Sequence, residues 1–229
     1  MEVFGEDSPL CDAEIISMLI RFLHAAGLAD FCLEINSLGC TSCRPAFSQA
    51  LIQHLKGMEA TLCADCQRRL KTNPLRIFDC KTETCRAVIS QAPRILEYLC
   101  SVCEKHFSAV KAALESIKIE FTVNAQMVRG LDYYIRTAFE VKSTALGAQN
   151  AVAGGGRYDG LVGLLGGPDV ACIGFAVGME RLLSCLPAVS SHSLRTDVFI
   201  ASLGEAARRE SFILADRLRG VGISAEINY

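Results

Sequence analysis

Arg129, Tyr133 and Tyr134 lie in the run Arg129-Gly-Leu-Asp-Tyr-Tyr134, directly ahead of an alternating segment. An arginine keeps its charge at any working pH and offers forked donors. It therefore suits a carboxylate, or a phosphate gaining charge in a transition state. A second run, Gly154-Gly-Gly-Arg-Tyr-Asp-Gly160, lets backbone approach a ligand closely and sets Arg157, Tyr158 and Asp159 directly after the glycines. In the third, Ile173 to Leu182, Gly178 ends a strand and Arg181 falls in the first turn of the next helix. That placement aims backbone N–H groups and a cation at one spot, as a polyphosphate requires. Taken singly, each run could be a turn, packed sheet or a surface arginine. Together they describe a pocket for an amino acid and a nucleotide. The chain carries neither a Gly-x-x-x-x-Gly-Lys loop nor a dinucleotide fingerprint, so ATP would bind on an antiparallel sheet.

A second chemistry comes from cysteine. Cys40/Cys43, Cys63/Cys66 and Cys100/Cys103 have the C-x₂-C spacing, and Cys80/Cys85 has C-x₄-C. Two such pairs complete a tetrahedral Cys₄ site, so eight cysteines suit two structural zinc ions, with the combination of pairs left open by spacing alone. The other reading is reduced thiols, some buried as small apolar groups. Cys11, Cys32, Cys172 and Cys185 are unpaired and read as core. His24, His54, His106 and His192 form no ligand or triad pattern.

The elements that must position these groups follow from periodicity. Of the 229 residues, 51% are hydrophobic and 21% charged, so a packed core is expected and disorder is not. Glu2-Val-Phe-Gly5 reads as the end of a strand, and Asp12 to Ala26 as a helix with Ile15, Ile16, Leu19, Ile20, Phe22 and Leu23 at core spacing before a stop at Gly27. Phe31 to Asn36 reads as a strand. Between Gly39 and Ile119 there are 12 Lys or Arg against 7 Asp or Glu, a surplus of five positive charges that leaves the remainder at −7. With its cysteines and its Asn-Pro and Ala-Pro breaks, 40–119 reads as a mostly helical insertion, including a long helix within 98–117. Residues 132–142 alternate: Asp132, Tyr134, Arg136 and Glu140 on one face, Tyr133, Ile135, Thr137, Phe139 and Val141 on the other, so that one tyrosine packs and the other faces the pocket. Such a strand fits an antiparallel sheet with helices behind and a wet front. Strand Val170–Ala176, helix Gly178–Leu186, a polar linker over 188–196 and one β–α–β unit over 197–229 complete the chain. A single such unit cannot close a core, so the chain reads as truncated. No secretory leader or membrane-spanning run is visible, and a cytoplasmic protein is expected.

The three runs together resemble the histidyl-tRNA synthetase family of class II aminoacyl-tRNA synthetases. Arg129 to Tyr134 looks like its histidine signature, Gly155 to Gly160 like its second signature, Gly174 to Leu182 like class II motif 3, and Asn73-Pro-Leu-Arg76 also fits. Gly154 stands where the family usually has alanine. The resemblance implies an α+β fold: a class II antiparallel sheet with flanking helices (1–39 and 120–187), the insertion at 40–119, the linker, and the start of an anticodon-binding α/β domain at 197–229. It implies activation of histidine by ATP, with Mg²⁺ on the outer phosphates, and transfer to the 3′ end of tRNA-His. Arg129 would stabilise the α-phosphate. Glu2, Tyr133, Tyr134 and Tyr158 would line the histidine site, with Arg129 at its margin. Gly178 and Arg181 would hold the outer phosphates. Motif 1 and nearly all of motif 2 have no counterpart here, so the fragment alone is expected to be inactive, and the homodimer implied for the full-length family is not expected of the fragment. Two alternatives share these features: a synthetase-like regulatory subunit of ATP phosphoribosyltransferase, and a zinc-stabilised RNA-binding module built on the basic insertion.

Overall fold

Ser8 opens the first long helix: its hydroxyl accepts the N–H of Leu10 at 3.2 Å, and Pro9 occupies the first turn, where no N–H is needed. The helix ends before Gly27, whose φ of +93° closes the turn. The computed structural model describes residues 1–147, 150–186 and 196–228. They form two compact units, Met1–Leu186 and Pro187–Tyr229. The expected linker over 188–196 lies, apart from residue 196, outside the described residues.

In the first unit the order is β1 (Glu2–Phe4), α1 (Pro9–Ala25), β2 (Cys32–Ser37), α2 (Arg44–Leu55), α3 (Ala64–Thr72), α4 (Glu83–Ile89), α5 (Ser101–Ser116), β3 (Thr122–Val123), β4 (Ile135–Lys142), β5 (Ala151–Arg157), α6 (Leu161–Leu164), β6 (Cys172–Val177) and α7 (Met179–Cys185). Strands β1-β6-β5-β4-β2-β3 make one sheet, antiparallel throughout except for the β2–β3 pair. Its pleat separates two faces. Ile35, Phe139, Val141, Ala153 and Ile173 pack against α1 and α5 in the main core. The opposite face carries a smaller cluster that includes Leu38, Tyr134, Ala138 and Tyr158. Register sets Glu2, Gly174, Gly156, Ala138 and Asn36 in one row across the strands, and Ala176, Gly154, Glu140 and Glu34 in the next.

Helix α5 lies within the 40–119 span, yet its Phe107, Val110 and Leu114 belong to the sheet core. The cysteine-rich helices have their own core around Phe47, Leu51, Leu55, Ile77 and Ile89. Two core expectations fail: Phe22 is 48% exposed and Cys32 is exposed at the sheet margin. Among the described residues no helix is long and apolar enough to cross a membrane.

The second unit pairs β7 (Val198–Ile200) in parallel with β8 (Ala225–Ile227), joined by α8 (Glu205–Gly220). Ala215 and Ala225 are buried there, while Phe199, Leu203 and Phe212 are exposed.

Candidate active site

The glycines of β5 and β6 are the floor of the site. A Cβ on Gly154 would lie 2.6 Å from Nη1 of Arg129, so the guanidinium rests directly on the sheet. A Cβ on Gly156 would meet the Tyr134 ring at 3.0 Å, and one on Gly174 would overlap the Glu2 carboxylate. Three side chains thus lie flat on two adjacent rows, about 7 Å apart along the strand.

The tyrosines depart from the expected alternation. Residues 131–134 form a turn, β4 begins at Ile135, and a register shift with Arg136 at φ +48° makes a bulge before Ala138. Tyr133 and Tyr134 are therefore not on opposite faces. Their rings stand 4.8 Å apart, and Tyr158 meets them edge-on at 5.8 and 6.2 Å. The cluster is packed with Ala138 and Cys172. The Tyr158 hydroxyl donates to the Glu2 carboxylate. Burial, and then that carboxylate, push the Tyr158 phenol well above its ordinary pKa, so it remains a donor. Burial also raises Tyr134.

Arg129 ends this series. Its guanidinium lies 5.8 Å from the centre of the Tyr134 ring and pairs with Glu140, which the strand pattern had placed on the polar face without a partner. Its Nε is buried and has no hydrogen-bond partner among the described residues. Glu2, Tyr158, Tyr133, Tyr134 and Arg129 are thereby brought together in one continuous set of contacts. Gly178 and Arg181 lie at the beginning of β5: the Gly178 N–H donates to Val152 O at 2.9 Å and Arg181 Nη1 to Ala151 O at 2.9 Å. Ala151 is three residues from Gly154, about 10 Å along the strand.

A buried network absent from the sequence reading supports the site from behind. Arg157 and Asp12 are both fully buried and paired, and His106 joins Asp12 at 2.8 Å. Arg157 also donates to Glu6 O and to the Asp159 carboxylate, each at 3.0 Å. Burial alone would raise the Asp12 pKa; hydrogen bonds with His106 and Arg157 outweigh it and hold it below the ordinary value. A lone aspartate on an apolar helix face, Asp12, was the available signal.

The eight paired cysteines converge as two groups, Cys40, Cys43, Cys100 and Cys103, and Cys63, Cys66, Cys80 and Cys85, with all sulfurs in each group within 4.8 Å of one another. The sulfurs stand 3.6 Å apart for Cys40–Cys43 and 3.9 Å apart for both Cys40–Cys100 and Cys63–Cys80. Zn–S bonds of about 2.3 Å in a tetrahedron set sulfurs about 3.8 Å apart, so both groups fit that ion. The Cys100 and Cys63 N–H groups each point at a sulfur, Cys43 and Cys85, at 3.1 Å. Burial raises both thiols above their ordinary value, and these N–H contacts offset part of that rise.

An antiparallel sheet with a glycine floor, helices behind it and an arginine over its wet face is the class II aminoacyl-tRNA synthetase arrangement. Comparison with known proteins narrows it. The sequence profile of the family described as Histidyl-tRNA synthetase matches residues 1–182. The histidine–tRNA ligase of Syntrophotalea carbinolica is 47% identical over 228 residues, covering 100% of this chain and 54% of the relative. That of Desulfosudis oleivorans is 48% identical over 229 residues, covering 99% and 54%. The crystal structure of apo Staphylococcus aureus histidyl-tRNA synthetase superposes with a TM-score of 0.70 at 35% identity, covering 100% of this chain and 57% of that one. The chain belongs to the histidyl-tRNA synthetase family. It spans about half the length of the curated relatives it matches.

A Bacillus halodurans protein described as an ATP phosphoribosyltransferase regulatory subunit/histidyl-tRNA synthetase shares the fold, with a TM-score of 0.60 at 19% identity.

Proposed function

We propose that the protein containing this chain activates histidine with ATP to histidyl-adenylate, releasing pyrophosphate, and then transfers the histidyl group to the 3′ end of tRNA-His. The observation that carries this reading is the contact cluster of Glu2, Tyr158, Tyr133 and Tyr134 directly beside Arg129 on a glycine floor. In this reading the single N–H of the neutral imidazole donates to the Glu2 carboxylate, whose other partner is the Tyr158 hydroxyl. The tyrosine rings stack against the imidazole and exclude water. Arg129 meets the carboxylate of histidine and the α-phosphate; its place over Gly154, beside the Tyr134 ring, supports that role. Charge grows on the α-phosphate oxygens during attack, and a preplaced guanidinium gains most in that state. Gly178 and Arg181 hold the outer phosphates, with Mg²⁺ between them.

Each cysteine group would hold one structural zinc, tying loops together and supplying no chemistry to the reaction. The surplus of basic residues between Gly39 and Ile119 supports contact of the insertion with tRNA. The full-length protein is proposed to be a cytoplasmic homodimer. Relatives near 47% identity bear the ligase description, which favours the ligase over a regulatory subunit.

The test is histidine-dependent ATP–pyrophosphate exchange by the full-length protein. Arg129→Gln should lower kcat about 10²–10³-fold with a smaller change in KM for histidine. Glu2→Gln should act mainly on that KM. Exchange independent of histidine, or untouched by Arg129→Gln, overturns the proposal.

A further inference from the structure

The loop between β3 and β4 carries Arg129, Tyr133 and Tyr134 without regular structure of its own. Its order must come from what touches it, and much of that is the insertion. Arg44 donates through Nη2 to Tyr134 O, and through Nη1 to Asp132 O and Nε to Leu38 O, both at 3.4 Å. Asn73 Nδ2 donates to the Asp132 carboxylate at 2.7 Å, with Arg76 3.9 Å from the same group. Gln126 Nε2 reaches Ser90 O at 3.3 Å.

Both grips are bracketed by thiols. Arg44 follows Cys43, in the turn where the Cys43 and Arg44 N–H groups both bond Cys40 O. That first group, Cys40, Cys43, Cys100 and Cys103, joins the end of β2 to the start of α5, two elements anchored in the sheet core. Asn73 and Arg76 lie between Cys66 and Cys80 of the second group. We propose that the insertion is a brace for the pocket loop, with Arg44 and Asn73 as positioning residues whose placement is set by metal in the two cysteine groups. The proposal rests on the zinc reading above but not on the amino-acid specificity of the pocket.

Hydrogen exchange of the zinc-loaded 229-residue chain tests it. Zinc per chain is first measured by elemental analysis. Arg44→Met, with zinc retained, should speed exchange across 127–136 about tenfold, the effect of losing one charge-assisted bond, while 9–25 in α1 is unchanged. Arg44→Lys should restore only part, because a single ammonium nitrogen cannot occupy the three positions from which Nε, Nη1 and Nη2 reach Leu38 O, Asp132 O and Tyr134 O. Chelation should reproduce the Arg44→Met effect. The near-ultraviolet tyrosine signal should fall with it, since three of the five tyrosines are in the pocket and the chain has no tryptophan. Zinc-loaded Arg44→Met with wild-type exchange across 127–136 overturns the brace. Zinc that can be removed without changing that exchange overturns the metal coupling. Fewer than one zinc per chain overturns the zinc reading itself, and the Arg44→Met comparison then decides the brace alone.

Discussion

Replacing Arg157 with methionine should destabilise the first unit severely, though the residue touches no proposed substrate. Arg157 and Asp12 are both fully buried. Arg157 holds the Asp12 carboxylate through Nε and Nη2, Glu6 O and Asp159 through Nη1 at 3.0 Å, and approaches Ser8 O at 3.5 Å. Methionine keeps much of the volume but strips these donors, so that Asp12 loses its only cationic side chain among the described residues and keeps His106 at 2.8 Å. Removing one partner of a buried pair costs about 3–5 kcal/mol, because the other charge stays desolvated. Against a total stability of about 5–15 kcal/mol, that loss is a large fraction. At about 2–4 °C per kcal/mol for a unit of this size, Tm should fall by about 6–20 °C. Removing both charges is different in kind: Asp12→Leu/Arg157→Met leaves no fully buried ion unpaired, and the part-exposed Asp159 keeps Arg136 at 3.9 Å and the Cys172 N–H at 3.0 Å. The double variant should be more stable than either single change, with a coupling of about 3 kcal/mol. Urea unfolding followed by circular dichroism measures all four proteins. A loss under about 1 kcal/mol for Arg157→Met, or effects that simply add, would refute the reasoning.

Two further outcomes are expected. Because the folded pKa of Asp12 lies below its ordinary 3.8, its contribution is fully present above about pH 4 and is lost as pH falls through the lower folded value. Urea midpoints should therefore drop on acidification, and Asp12→Asn, already weaker at neutral pH, should show a shallower acid limb; parallel curves would contradict this. Each cysteine group should also behave independently: Cys43→Ser and Cys66→Ser should each remove one zinc of two, measured by elemental analysis, and loss of both ions from either variant would argue against two separate sites.

Local patterning was readable from the order of residues, because helix and strand periods are properties of neighbouring positions. The apolar spacing of Ile15, Ile16, Leu19, Ile20 and Leu23 makes one buried face of α1, and Gly27 stops it. The glycines at 154–156 do permit close approach. The tyrosine pair departs from alternation for a local reason as well: a turn at 131–134 and the Arg136 bulge break the period of two around the start of β4. Periodicity cannot register a bulge, since one inserted residue reverses every face beyond it.

What chain order left open was every choice among partners far apart in sequence. Four cysteine pairs admit several combinations, and only folding joins 40/43 to 100/103 and 63/66 to 80/85. Asp12 and Arg157, 145 residues apart, find each other through the packing of α1 on the sheet. Arg129 meets Glu140 because the loop folds back over Gly154, and Arg44 meets Tyr134 because the insertion turns under that loop. The physical reason is common to all: spacing specifies which chemistry a segment can offer, but a pair of charges or thiols acquires its energy only at contact distance, and register and core packing set that distance.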